Sequence, residues 1–121
     1  MNQPFQAQVR QPSELAQNGT VVIDLQGEIN SAAEEALNAA YTQAEGQEPT
    51  TVVLNFNRVS YINSTGIALI VGVMARARKA HRQLAVYGLS DHYMEIFQIT
   101  RLADFLSIYT DEASAMAGSK V

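Results

Sequence analysis

The sequence predicts an α/β fold, a mixed and mostly parallel sheet of about five strands with about four helices, as one domain over residues 1–121. Three observations lead there. From Thr20 onward, β-branched apolar runs alternate with helix-compatible stretches, which implies crossover connections and parallel pairing. Phe5, Ala7 and Val9 alternate with Gln6 and Gln8 ahead of an Asn18-Gly19 turn, which suggests one antiparallel pair at the start. A chain of 121 residues has room for a single core, because at this length folding buries roughly two-thirds of the unfolded surface.

Composition narrows the function. With 47% hydrophobic and 17% charged residues the chain is globular, and a net charge of −4 argues against direct binding to nucleic acid. The absence of cysteine excludes disulfides, thiolate metal sites and a cysteine nucleophile. Met1 to Arg10 lacks the apolar run of a signal peptide, and no stretch approaches membrane-spanning length. The expectation is a cytoplasmic protein with no membrane insertion.

In order, a first strand holds Phe5, Ala7 and Val9, and Gln11 to Gly19 turns back into a second strand over Thr20 to Gln26. Val21, Ile23 and Leu25 share one face there, Val22 is apolar on the other, and Gly27 ends the run. Ser31 is placed to cap a helix across Ala32 to Ala44. Glu34 and Glu35 complement its positive dipole end, and because helix neighbours point about 100° apart they do not form a catalytic pair. Gly46 to Pro49 leads into Thr51 to Phe56, an apolar run suited to a central strand buried on both faces, ending where Asn57 and Arg58 bring polarity.

A short polar connection then precedes a long helix through Arg82. Asn63, Ser64 and Thr65 are all able to cap it, so Ser64 sits at a helix N-terminus, where free N–H groups and the dipole favour a phosphate. Ile67, Ile70, Met74 and Ala77 fall on one face and suit a core, while Leu69, Gly72 and Arg76 share the opposite one. A helix apolar nearly all round in its first two turns presents a surface to a partner, and the expected contact set includes Leu69, Gly72, Val73 and Arg76. Gly66, lacking a side chain, is read as permitting close approach of that partner or of a phosphate.

Arg76, Arg78, Lys79 and Arg82 supply four of the eight basic residues at the helix end, where cations meet the negative dipole pole. Leu84 to Tyr87 reads as a further strand, and Asp91 as the cap of a helix ending near Ile99. His92 and Glu95 are three apart on it but lack a third metal ligand nearby. Phe105 to Tyr109 reads as a last strand, Ala113 to Ala117 as a terminal helix after Asp111 and Glu112, and Gly118 to Val121 as a fraying end. There is no G-x-S-x-G and no Gly-rich phosphate loop, so neither an enzyme nor a cofactor is expected.

The strand from Thr51, the Ile-Asn-Ser-Thr-Gly turn at Ile62 to Gly66 and the Ile67 to Gly72 helix start together resemble the STAS domain of bacterial anti-sigma factor antagonists. In that family the turn reads Asp-Ser-Ser/Thr-Gly, and the first hydroxyl residue after the acid is phosphorylated by a partner anti-sigma kinase; Ser64 is the match. Gly27-Glu28-Ile29-Asn30 is similar to the family's Gly-Glu-Leu-Asp, and the order of elements downstream agrees.

Two positions depart from the pattern, Asn63 and Asn30 standing where the family has acids. Both keep capping ability and lose charge, so a phosphate on Ser64 would meet less repulsion if both lie near it, as the resemblance implies. The resemblance further implies that the unphosphorylated chain binds a GHKL-type anti-sigma kinase and releases a sigma factor, and that a PP2C-type phosphatase resets it. Asn63, Ser64, Thr65 and Gly66 would join the contact set named above. The alternative within the same resemblance is a constitutive STAS subunit of a lipid- or anion-transport complex or of a stressosome-type assembly.

Overall fold

The computed structural model describes residues 4–10 and 19–118. Most of the expected Gln11–Gly19 turn and the end of the chain after Gly118 lie outside the described residues. Five strands form one sheet in the order β1 (Gln6–Val9), β2 (Thr20–Ile29), β3 (Thr51–Ile62), β4 (Gln83–Tyr87) and β5 (Ser107–Tyr109). β1 is antiparallel to β2, and the three remaining pairings are parallel. Four α-helices accompany them among the described residues: α1 (Glu34–Glu45), α2 (Ser64–Lys79), α3 (Asp91–Ile99) and α4 (Glu112–Gly118).

Each parallel crossover advances by one strand in the same direction. Crossovers of the usual hand then place α1, α2 and α3 on one face of the sheet. The core there joins Val21, Ile23 and Leu25 of β2 and Val52, Leu54 and Phe56 of β3 to Leu37, Ile70 and Phe97 of the helices. The intervening residues Val22, Val53, Ala85 and Tyr87 point to the other face, where α4 covers them with Ala115. A strand buried on both faces must be apolar in both registers, which is why β3 begins with an unbroken run from Val52 to Leu54.

A polar cluster ties α4 to the sheet. Arg10 donates through Nε to Asp24 Oδ2 at 2.9 Å and through Nη2 to Asp24 Oδ1 at 2.9 Å, and it lies 2.8 Å from Glu112 Oε1. The Tyr87 hydroxyl donates to Glu112 at 2.8 Å, and Asn55 Nδ2 donates to Asp24 at 2.7 Å. Arg10 holds both carboxyls below their ordinary values. Burial, helped by Glu112, pushes the Tyr87 hydroxyl up to about 12.

Several boundaries differ from the sequence expectation. Gly27 does not end β2, and β3 continues past Asn57 and Arg58 to Ile62. β4 pairs only with Thr51 to Asn55, so the rest of β3 and the end of β2 project beyond the sheet as a two-stranded ribbon. Register shifts between Asp24 and Gln26 and between Gly27 and Glu28 accompany the ribbon, with Gly27 at φ +98°. The cap of the first helical segment is Asn30 rather than Ser31: a 3₁₀ turn over Ser31–Ala33 precedes α1. Ser90 rather than Asp91 caps α3, accepting from Tyr93 N–H at 3.3 Å. β5 begins at Ser107 rather than Phe105, because Phe105 closes the 3₁₀ turn of Leu102–Asp104 with its N–H donating to the Leu102 carbonyl at 3.0 Å.

Candidate functional site at the carboxyl end of the sheet

Parallel strands deliver their following helices to the same end of the sheet, so the N-termini after β2, β3 and β4 gather there. All three are capped by uncharged side chains, Asn30, Asn63 and Ser90. The ribbon brings the first two together. Asn63 N–H donates to the Ile29 carbonyl at 3.2 Å, which places the start of α2 against the last residue before Asn30. From the other side the Tyr93 hydroxyl accepts from the Ile62 N–H at 2.9 Å, fixing the end of β3 to α3.

Within this frame Asn63 is the cap of α2, with extended backbone (φ −93°, ψ −177°) and Oδ1 accepting from Gly66 N–H at 2.8 Å. Ser64 is therefore the first helical residue rather than the cap, and Thr65 is the second. Both are exposed. Among the described residues nothing accepts a hydrogen bond from either of their N–H groups, and the first turn of α2 contains no acidic residue. A phosphate on Ser64 would thus meet two free donors and the positive pole of a helix 16 residues long, without a carboxylate in that turn.

Gly66 serves packing. It is buried, and a Cβ there would overlap the Ile29 carbonyl oxygen and stand 2.9 Å from Ile62 Cγ2. Glycine lets the first turn of α2 lie directly on the end of the ribbon.

The remaining residues of the expected contact face divide. Val73 is fully buried, because it lies about 60° around the helix from Ile70 and within the core arc. Leu69 is half-buried against the core. Arg76 turns toward α1, donating to Glu45 at 2.6 Å and Thr42 at 3.1 Å with its guanidinium 4.7 Å from the Tyr41 ring centroid. Only Gly72 of that group is fully outward. The exposed stripe instead runs through Thr65, Ala68, Val71, Gly72 and Ala75, a phase the sequence reading missed because it left α1 out of account. It also missed Tyr61, 52% exposed on the ribbon beside the cap, because the polar run after Phe56 reads as a loop.

The fold is one that known proteins share. The STAS domain family model matches residues 11–115. The chain belongs to the STAS domain family. The anti-sigma-B factor antagonist of Listeria monocytogenes is 30% identical over 97 residues, covering 78% of this STAS chain and 85% of that protein. Among solved structures, the Bacillus cell fate determinant SpoIIAA in its phosphorylated form superposes with a TM-score of 0.65 at 28% identity, over 89% of this chain and 95% of that one. A sulfate transporter family protein from Wolinella succinogenes shares the fold with a TM-score of 0.74 at 18% identity, over 92% of this chain and 96% of that one. The STAS fold therefore serves proteins of different description, and function has to be argued from the site. No helix among the described residues is long and apolar enough to cross a membrane.

Proposed function

We propose that this STAS chain is an anti-sigma factor antagonist whose affinity for its partner is switched by phosphorylation of Ser64. The observation that carries the proposal is the exposed Ser64 hydroxyl at the first position of an Asn-capped helix, bordered by an exposed, mostly small and apolar stripe. Unphosphorylated, the chain docks through Asn63, Ser64, Thr65, Ala68, Val71 and Gly72 on a cytoplasmic anti-sigma kinase of GHKL type and so releases the sigma factor. The kinase transfers the terminal phosphoryl group of ATP to Ser64, and a PP2C-type phosphatase removes it. The chain is ligand and substrate; the kinase and phosphatase are the catalysts.

A phosphate adds about 1.5–2 negative charges to a surface that must lose water on docking. A penalty of about 3 kcal/mol weakens binding roughly a hundredfold, so the switch needs no refolding. Asn63 and Asn30 in place of acids lower the repulsion that the phosphorylated state meets within its own chain.

The test is intact-mass and site-mapping analysis after incubation with candidate kinases from the same genome, using wild type, Ser64→Ala and Thr65→Ala. One phosphate on wild type and Thr65→Ala and none on Ser64→Ala is expected. Phosphate lost only in Thr65→Ala would move the acceptor, and none on any protein would favour a constitutive subunit of a larger assembly.

A further inference from the structure

At the far end of α2 from Ser64, the C-terminal half of the helix and the segment leading into β5 enclose a groove of about 470 Å³. Its floor is apolar, formed by Met74, Ala77, Leu84 and Leu106, and Phe105 stands at its edge with 54% of its surface exposed. A second recess of about 190 Å³ adjoins it and shares Met74, Arg78 and Phe105. The two together fit a pair of apolar side chains set side by side on one segment.

The charges around this groove do not cancel. Asp104, its one lining carboxylate, is held by Arg101 at 2.8 Å. Arg82 is engaged by Glu45 at 3.6 Å and by the Pro49 carbonyl at 2.9 Å. Arg78 has no carboxylate partner among the described residues; its guanidinium lies 5.1 Å from the Phe105 ring centroid, between the two recesses. Lys79 is exposed next to it. On a chain of net charge −4 this is a local cationic rim around an apolar floor.

We propose that this groove is a second docking site, for an acidic amphipathic segment of a partner protein. Two adjacent apolar side chains of the segment enter the recesses on either side of Phe105, and a flanking carboxylate pairs with Arg78. Fourteen residues of helix separate Arg78 from Ser64, about 21 Å of rise. That exceeds two Debye lengths at physiological salt, each about 8 Å, so charge at Ser64 is screened from the groove. The groove therefore holds its partner in both states of Ser64, and the two ends of α2 work independently. This proposal does not rest on the identity of the kinase.

The probe is a phage-displayed library of 16-residue peptides panned on the full chain, with counter-selection on the Arg78→Glu/Phe105→Ala double variant. Enriched peptides are then measured by fluorescence polarisation. Peptides with paired aliphatic or aromatic residues flanked by Asp or Glu are expected. Their affinity should fall at least tenfold with Arg78→Glu or with Phe105→Ala, and stay within twofold in Ser64→Asp. Replacing the flanking acids by Lys should restore binding to Arg78→Glu. Both residues are at the surface, and a circular dichroism spectrum matching wild type is the check that each variant folds. No enrichment over the double variant, a basic or neutral consensus, or binding of phosphatidylserine vesicles but of no peptide would each overturn the proposal. A tenfold loss in Ser64→Asp would overturn the independence of the two ends, while phosphate uptake at Ser64 by Arg78→Glu keeps this outcome distinct from that of the switch.

Discussion

Gly66 and Gly72 lie six residues apart on the same helix, and alanine at each should change stability in opposite directions. At Gly66 the added carbon meets the backbone of Ile29, overlapping its carbonyl oxygen and standing 2.8 Å from its carbonyl carbon, and lies 2.9 Å from the Ile62 side chain at Cγ2. The Ile29 backbone cannot yield by a side-chain rotation, and its carbonyl is already bonded by the Asn63 N–H. Overpacking of this kind costs about 1–3 kcal/mol, and a backbone collision belongs at the upper end. The gain of about 1 kcal/mol in helix propensity offsets part of it, leaving a loss of about 2 kcal/mol. For a domain of this size that lowers Tm by roughly 6–10 °C. At Gly72 the same carbon meets nothing within 4 Å, so only the propensity term acts and stability rises by about 1 kcal/mol. Urea titrations of both variants with unchanged m-values are the assay. A Gly66→Ala protein as stable as wild type, or one that loses phosphate uptake while keeping its Tm, would falsify the packing account and restore ligand approach as the reason for that glycine.

Asn63→Ala should cost about 1 kcal/mol by removing the cap of α2, whereas Ser64→Ala, one residue into the helix, should cost much less; chemical denaturation of the pair checks which residue caps. Val71→Arg, on the exposed stripe, should abolish binding to the proposed anti-sigma partner with the circular dichroism spectrum unchanged, and retained affinity in calorimetry would remove this stripe from the proposed interface. Arg10→Met should destabilise by about 1 kcal/mol, discounted because Asp24 and Glu112 are partly exposed. Both carboxyls titrate lower in the folded chain than in the unfolded one, so the contribution is complete above the ordinary values of 3.8 and 4.5 and disappears as pH falls through the folded values. The gap in Tm between wild type and Arg10→Met should therefore be constant from about pH 5 to 7 and narrow progressively as pH falls below the ordinary carboxylate values.

The periodicity of the side chains was enough for the sequence alone to determine the class of this protein. Val21, Ile23 and Leu25 against Val22, the unbroken apolar run after Thr51 and the helical spacing of Ile70, Met74 and Ala77 all report burial, which depends on residue type. The Ile-Asn-Ser-Thr-Gly turn likewise carried the family, because capping and tight packing demand those residue types locally. Tertiary structure alone decided where β3 stops, which oxygen caps α2, why Gly66 is glycine and which side of α2 faces out. The extension of β3 through Asn57, Arg58 and Ser60 is held by backbone pairing with β2, and a backbone hydrogen bond is indifferent to the side chain beside it. Asn63, Ser64 and Thr65 were equally able to cap until the Ile29 carbonyl bound the Asn63 N–H and positioned the helix start. The outward face of α2 depends on α1, whose Glu45 and Tyr41 draw Arg76 to one side and leave Ala68, Val71 and Ala75 on the other. A helix carries its periodicity within itself, but which arc of that period is covered depends on neighbours distant in the chain.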